Sequence, residues 1–76
     1  MDLNRALAIA NQNVNFGMAS SAVVCLFNAQ DCIERGDYDY AWRQVLKSLR
    51  YSVGVFHKDY IFVKELHELE CSDFEA

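Results

Sequence analysis

The chain has 76 residues, enough for one domain, but a domain of this size buries only about 60% of the surface that its unfolded chain exposes. Its formal net charge of −4 argues against a general nucleic-acid coat protein. The sequence shows neither a secretory leader pattern nor an apolar run of about 18 residues, so we expect a single cytoplasmic domain over residues 1–76 that does not enter a membrane.

The apolar content is high for so short a chain. Hydrophobic residues make up 53% of the sequence, more than a unit of two or three helices can cover along one seam. The excess predicts a subunit or partner interface. The three cysteines do not form a disulfide framework, because their number is odd and no CxxC pair occurs. Cys25 and Cys32 are two helical turns apart, about 10 Å, and we expect buried free thiols.

The first half of the chain has one continuous helical pattern. After Asp2, a suitable N-cap, apolar residues recur at steps of three and four as far as Cys32 without a change of phase. This spacing predicts one long helix over about residues 3–35, with Gly17 as the place where it can bend. The alternative is two helices with a break between Asn13 and Gly17, because asparagine and glycine are poor helix formers.

A turn is predicted at Gly36. Glycine adopts the left-handed conformation that ends many helices at little cost. Asp37 follows with a carboxylate that can accept a backbone N–H of the next helix, and Asp39 adds negative charge to its first turn. The helices on either side should therefore fold back antiparallel.

The second half repeats the helical spacing over about residues 38–70, with a bend or break at Gly54. Residues 71–76 read as a frayed acidic tail. The apolar residues near the middle surround most of the helix, which predicts burial by a partner; they are Val55, Phe56, Tyr60, Ile61, Phe62 and Val63. The predicted fold is all-α, an antiparallel hairpin of two long helices or a three-helix variant, assembled into a dimeric helical bundle.

The region around the turn resembles a tetratricopeptide repeat. The resemblance covers roughly residues 22–53 and lies in the spacing of small, turn and packing residues, namely Ala29, Gly36, Tyr38, Ala41 and Leu49. It implies a helical hairpin. The closing proline and the early tryptophan of that family are missing, and one copy is fewer than the three or so that such an array needs.

Three cations follow one another on the second predicted helix. Arg43, Lys47 and Arg50 are spaced by four and three residues, so they lie along one edge, and His57 continues that edge if the helix is unbroken. This edge is a candidate anion-binding ridge for RNA phosphates or for an acidic protein face. The alternative is a solvated polar face beside the core.

Arg50 and His57 also have a spacing that resembles the arginine–histidine pair of HEPN-type ribonucleases. In that family the pair acts on RNA across a dimer, which would make His57 a general acid or base and Arg50 a stabiliser of phosphate charge. The chain is shorter than the usual four-helix bundle of the family, and Tyr51 stands where a polar residue commonly follows the arginine.

No metal or cofactor is predicted. His67 and Cys71 are four residues apart and could supply half of a zinc site, but no second pair lies near them. The sequence shows no glycine-rich phosphate loop, serine triad or carboxylate pair.

The aromatic residues of the second half supply the functional prediction. They are typical anchors of protein contacts, and we assign to the interface Trp42, Tyr51, Phe56, Tyr60 and Phe62. The sequence predicts a small non-enzymatic interaction or adaptor module that binds itself and another protein through this apolar face. The alternatives are a dimeric HEPN-like ribonuclease or RNA-binding protein, and a small acidic inhibitor of a larger protein.

Overall fold

A computed structural model shows four α-helices in the described part of the chain, which comprises the backbone of residues 2–14 and 20–75 and the side chains of residues 2–14 and 21–70. The helices are α1 (Asp2–Asn13), α2 (Ser20–Arg35), α3 (Tyr38–Ser52) and α4 (Lys58–Glu75). These residues contain no strand, so the all-α class is confirmed. None of the described helices combines the length and the apolar character needed to cross a bilayer.

The prediction of one long first helix is wrong. Val14 follows the end of α1, and the last α-helical hydrogen bond among the described residues of this segment runs from its N–H to the carbonyl of Ala10 at 3.0 Å. The side-chain amide of Asn13 donates to the carbonyl of Ile9 at 2.9 Å, and such bonds compete with the backbone at a helix end. The alternative of two helices agrees with these bounds. Gly17, where a bend was predicted, lies outside the described residues.

The turn at Gly36 is confirmed. Gly36 has φ +80°, and its N–H donates to the carbonyl of Ile33 at 3.1 Å. The N–H of Asp37 donates to the carbonyl of Cys32 at 2.8 Å, and these two bonds form a Schellman motif that ends α2. Asp37 precedes α3, but its carboxylate makes no capping hydrogen bond, so that part of the prediction is wrong. Its backbone (φ −89°, ψ 74°) departs from the β conformation typical of a capping side chain.

A second glycine divides the second half of the chain. Gly54 has φ +91°, and its N–H donates to the carbonyl of Leu49 at 3.2 Å. Of the bend or break predicted at Gly54, the structure shows the break, and α3 and α4 are separate helices. Val55 and Phe56 lie in the connector between α3 and α4 and do not belong to an all-round apolar helix. The helix α4 continues to Glu75, beyond the end at residue 70 that the sequence predicts, and the fraying of residues 71–76 stays a prediction.

The four helices form a flat body in which α1 and α3 are central. The helices α2 and α3 pack along each other and α1 contacts all three others, whereas the described residues of α2 and α4 do not meet. The Cα atoms span 41 × 28 × 15 Å, a thickness of two helix layers. Alanines at the contacts let the helices approach closely, and the core consists of Leu3, Ala6, Ala10, Val14, Ala22, Leu26, Ala29, Cys32, Ala41, Trp42, Val45, Leu49 and Val63. The described residues form four helices in place of the predicted two or three; α2 and α3 pack along each other, α1 and α4 pack against them, and the dimeric bundle stays a prediction.

Candidate interaction surface

The connector between α3 and α4 carries the most exposed large apolar side chain of the described residues. Phe56 is 92% exposed, and its neighbour Val55 is 38% exposed. Val55 also lines a shallow cavity of about 440 Å³ together with Tyr60 and Ile61. We call Val55, Phe56 and Ile61 the connector surface. Burying a phenylalanine side chain is worth roughly 1.5–3 kcal/mol, so Phe56 has the most to gain from a contact.

The backbone of the connector holds Phe56 in place. The N–H of His57 donates to the carbonyl of Gly54 at 3.3 Å, which places Val55 and Phe56 at the two central positions of a turn. His57 precedes α4, and its carbonyl accepts the N–H of Ile61 at 3.1 Å as an α-helical bond of that helix. Both ends of the connector are therefore fixed by hydrogen bonds, and little order has to be imposed on it when a partner binds.

A second open surface lies between α2 and α3. A groove of about 430 Å³ has in its lining two buried residues, Cys25 and Gln44, and three side chains that are about half exposed, Val24, Tyr40 and Tyr51. The remaining lining residues are polar; they are Ser21, Asn28 and Lys47. We call this the α2–α3 groove.

The predicted cationic edge is present on the exposed side of α3. Arg43, Lys47 and Arg50 are all exposed, and none of them forms an ion pair with a carboxylate in the described part of the chain. Burial raises the pKa of the Cys25 thiol, and the nearby Lys47 ammonium partly opposes that shift of the pKa. Lys47 is therefore the cation closest to the groove, and anion binding by this edge stays a prediction.

Trp42 was wrongly assigned to the interface. It is 2% exposed, its indole Nε1 donates a hydrogen bond to the carboxylate of Glu70, and its ring stacks on that of His67 with 5.2 Å between centroids. These contacts place Trp42 in the packing of α3 against α4. An aromatic side chain that fills a contact within the chain is not available to a partner.

The other interface predictions fall into two groups. Tyr51 and Phe56 are exposed. Tyr60 is half-buried against the core, and the guanidinium carbon of Arg5 lies 5.2 Å from the ring centroid of Phe62, which is 37% exposed. Arg5 thus covers part of Phe62 through a cation–π contact. The best-exposed aromatic candidates from the sequence are therefore Phe56 and Tyr51.

Sequence reasoning missed the exposed apolar residues of α2. Val24 is 51% and Phe27 64% exposed. The signal was available, because both residues lie off the apolar stripe that continues through Ala22, Cys25 and Ala29. A large apolar residue off the core stripe of a helix is a candidate surface contact.

Arg50 and His57 do not share a continuous helix, so the predicted extension of the cationic edge to His57 is wrong. The helix α3 ends at Ser52, whereas the ring Nδ1 of His57 accepts the backbone N–H of Asp59 at 3.1 Å. His57 is thus the N-cap of α4. This gives its ring a structural role that needs no substrate.

The described residues offer no metal centre, since no group of three His, Cys, Asp or Glu side chains among them is arranged to hold an ion. The side chain of Cys71, which could form half of a zinc site with His67, lies outside the described part. Cys25 and Cys32 are free and buried, which confirms that prediction.

Compared with protein-family models, with curated proteins and with solved structures, this chain gives no match. The resemblances to a tetratricopeptide repeat and to HEPN ribonucleases therefore stay predictions. Of the residues that carry the first resemblance, Ala29, Ala41 and Leu49 are fully buried and Gly36 forms the turn, while Tyr38 is 43% exposed.

Proposed function

We propose that this chain is a non-enzymatic interaction module that binds another protein through its exposed apolar surface, with Phe56 as the anchor. The observation that carries the proposal is the 92% exposure of Phe56 at the centre of a hydrogen-bonded turn. Single exposed apolar residues are ordinary on protein surfaces. A phenylalanine in an ordered turn, beside an exposed Val55 that lines a cavity with Ile61, is instead placed to enter a pocket on a partner.

The geometry of the connector supports this role. Gly54 ends α3 and His57 caps α4, so the backbone on both sides of Phe56 is fixed before a partner arrives. Binding therefore has to fix few backbone torsion angles. Because little conformational entropy is lost, more of the free energy gained by burying the ring contributes to affinity. Aromatic anchors of this kind contribute about 2 kcal/mol or more at protein interfaces.

Photo-crosslinking tests the proposal directly. A benzoylphenylalanine replaces Phe56 in one protein and Gln30 in a matched control, because Gln30 is also exposed but lies on α2. Each protein is irradiated in an extract of cells that express the chain. We expect a discrete crosslinked protein from position 56 and not from position 30.

Competition shows whether the phenyl ring itself binds. An excess of the unlabelled wild-type chain should prevent the crosslink, whereas an excess of the Phe56→Ser variant should not. Equal crosslinking at both positions, or equal competition by the two unlabelled proteins, would contradict the proposal.

A further inference from the structure

The exposed side of α3 is a stripe with aromatic ends and a cationic middle. Tyr40 and Tyr51 are 51% and 53% exposed and are separated by about 16 Å along the helix axis. Arg43, Lys47 and Arg50 lie between them on the same side of the helix. Lys47 is near the centre of this stripe. We call these five residues the basic stripe.

The exposed side of α4 has apolar residues at its ends and carboxylates between them, where α3 has aromatic residues and cations. Ile61 and Leu69 are 43% and 64% exposed and are separated by about 12 Å along the axis. The exposed carboxylate of Glu65 is midway between them, and it forms no ion pair with a described cation. Glu68 is exposed on the same side. We call Ile61, Glu65, Glu68 and Leu69 the acidic stripe.

The two stripes of one chain face away from their mutual contact. Where α3 meets α4, Trp42 stacks on His67 and its indole donates to Glu70. On α3, Trp42 is roughly 140° around the helix from Lys47, and on α4, Glu70 is roughly 140° from Glu65. Lys47 and Glu65 therefore cannot meet within one chain while this contact is kept.

We propose that the basic stripe on α3 binds the acidic stripe on α4 of a second copy of this chain, with Lys47 paired to Glu65 and the apolar ends packed together. The basis is charge complementarity: α3 presents three cations without carboxylate partners among the described residues, and α4 of another copy presents the exposed carboxylate of Glu65 between two exposed apolar residues, with Lys64 beside it. A net charge of −4 opposes indiscriminate self-association, so the aligned charges select this one arrangement.

Each copy carries both stripes, so two copies can close into a symmetric dimer if both contacts form at once, and otherwise the contact continues into a larger assembly. The inference rests on the proposed function, because it names a second copy as one protein that is bound. The acidic stripe shares Ile61 with the connector surface but does not include Phe56, so Phe56→Ser and the charge reversals test the two proposals independently.

Charge reversal measured by sedimentation equilibrium at micromolar concentration tests the pairing. Lys47→Glu and Glu65→Lys should each weaken self-association by about tenfold or more, and the double variant should restore it to within about threefold of wild type. Lys58→Glu and Glu34→Lys are the matched controls, because they change the net charge by the same amounts as the two single variants but at exposed positions off the stripes. Each should leave the self-association constant within about threefold of wild type. Phe56→Ser should also leave it unchanged.

Several results would overturn the inference. A wild-type chain that is monomeric at micromolar concentration would overturn the pairing of the two stripes. The proposed function would still be tested separately, by the crosslink from position 56. Failure of the double variant to recover, or loss of self-association in Phe56→Ser, would place the contact elsewhere. Single-stranded RNA bound by wild type and lost in Lys47→Glu, with unchanged sedimentation, would assign the stripe to nucleic acid instead.

Discussion

The side-chain amide of Asn13, the last residue of α1, donates a hydrogen bond of 2.8 Å to the carboxylate of Asp59 in the first turn of α4. The same amide donates to the carbonyl of Ile9 at 2.9 Å. One side chain therefore closes α1 and fixes it to the start of α4. The Asp59 carboxylate is also favoured there by the positive end of the α4 dipole.

Asn13→Ala should destabilise the protein, with Asn11→Ala as its matched control. Both amides donate to the carbonyl four residues earlier, but only that of Asn13 also reaches a carboxylate. A hydrogen bond to a charged group is worth about 1.5–3 kcal/mol, so Asn13→Ala should lower the free energy of unfolding by about that amount. Asn11→Ala should change it by less than about 0.5 kcal/mol, since alanine favours helix at an exposed site. Urea unfolding measures both, and equal losses would show that the contact with Asp59 contributes nothing.

His57→Ala should cost about 1 kcal/mol through loss of the α4 cap, and His57→Asn should retain most of the stability because asparagine also caps helices. The reason is the bond from the N–H of Asp59 to the ring Nδ1. Thermal unfolding of the three proteins measures this. If His57→Ala is as stable as wild type, the ring does not stabilise α4 as a cap. If wild type cleaves RNA without metal and a folded His57→Ala variant does not, the ribonuclease alternative is favoured.

Gly36→Val should lower stability by about 1–3 kcal/mol, because a β-branched residue is strained at the observed φ of +80°. The cost is one of backbone conformation, since a Cβ added at this position has no atom within 4 Å. Gly36→Asn should therefore be the milder change, as asparagine tolerates the left-handed region. If the two variants had the same thermal midpoint, the conformational explanation would fail.

The stability of the fold should decline at alkaline pH through Cys25. Burial raises the pKa of this thiol, so the native state keeps its proton at a pH where the unfolded thiol, with its ordinary pKa of about 8.5, has lost it. The stability that Cys25 contributes is fully present below the pKa of the thiol in the unfolded chain, and it is lost as the pH rises through the pKa of the thiol in the folded protein. Cys25→Ser serves as the control and should flatten this part of the curve of unfolding free energy against pH. A decline of the same size in wild type and Cys25→Ser would contradict the assignment.

The parts of the fold that the sequence predicts correctly depend on local signals. Gly36 ends α2 because a residue without a Cβ is needed at positive φ, and the turn makes α2 and α3 antiparallel. Cys25 and Cys32 are buried because they lie on the apolar stripe. Such features need no knowledge of distant residues.

The parts that the sequence does not predict depend on contacts between distant residues. The apolar phase continues through Asn13 and Gly54, and nothing local shows that Asn13 bonds to Asp59 across 46 positions. Trp42 could be an interface anchor or a core residue by its type alone, and its contacts with His67 and Glu70 decide the matter. At the candidate site, Phe56 was identified by residue type, but its exposure depends on the turn that begins at Gly54.

The central claim, that this chain binds another protein through Phe56, is tested most directly by affinity capture with quantitative mass spectrometry. Wild type, Phe56→Ser and the control Gln30→Ser are compared, since both substituted side chains are exposed. The account predicts a protein enriched equally by wild type and Gln30→Ser and about tenfold less by Phe56→Ser. Apart from a second copy of this chain, the same proteins recovered with all three baits, or RNA recovered in place of a protein, would contradict it.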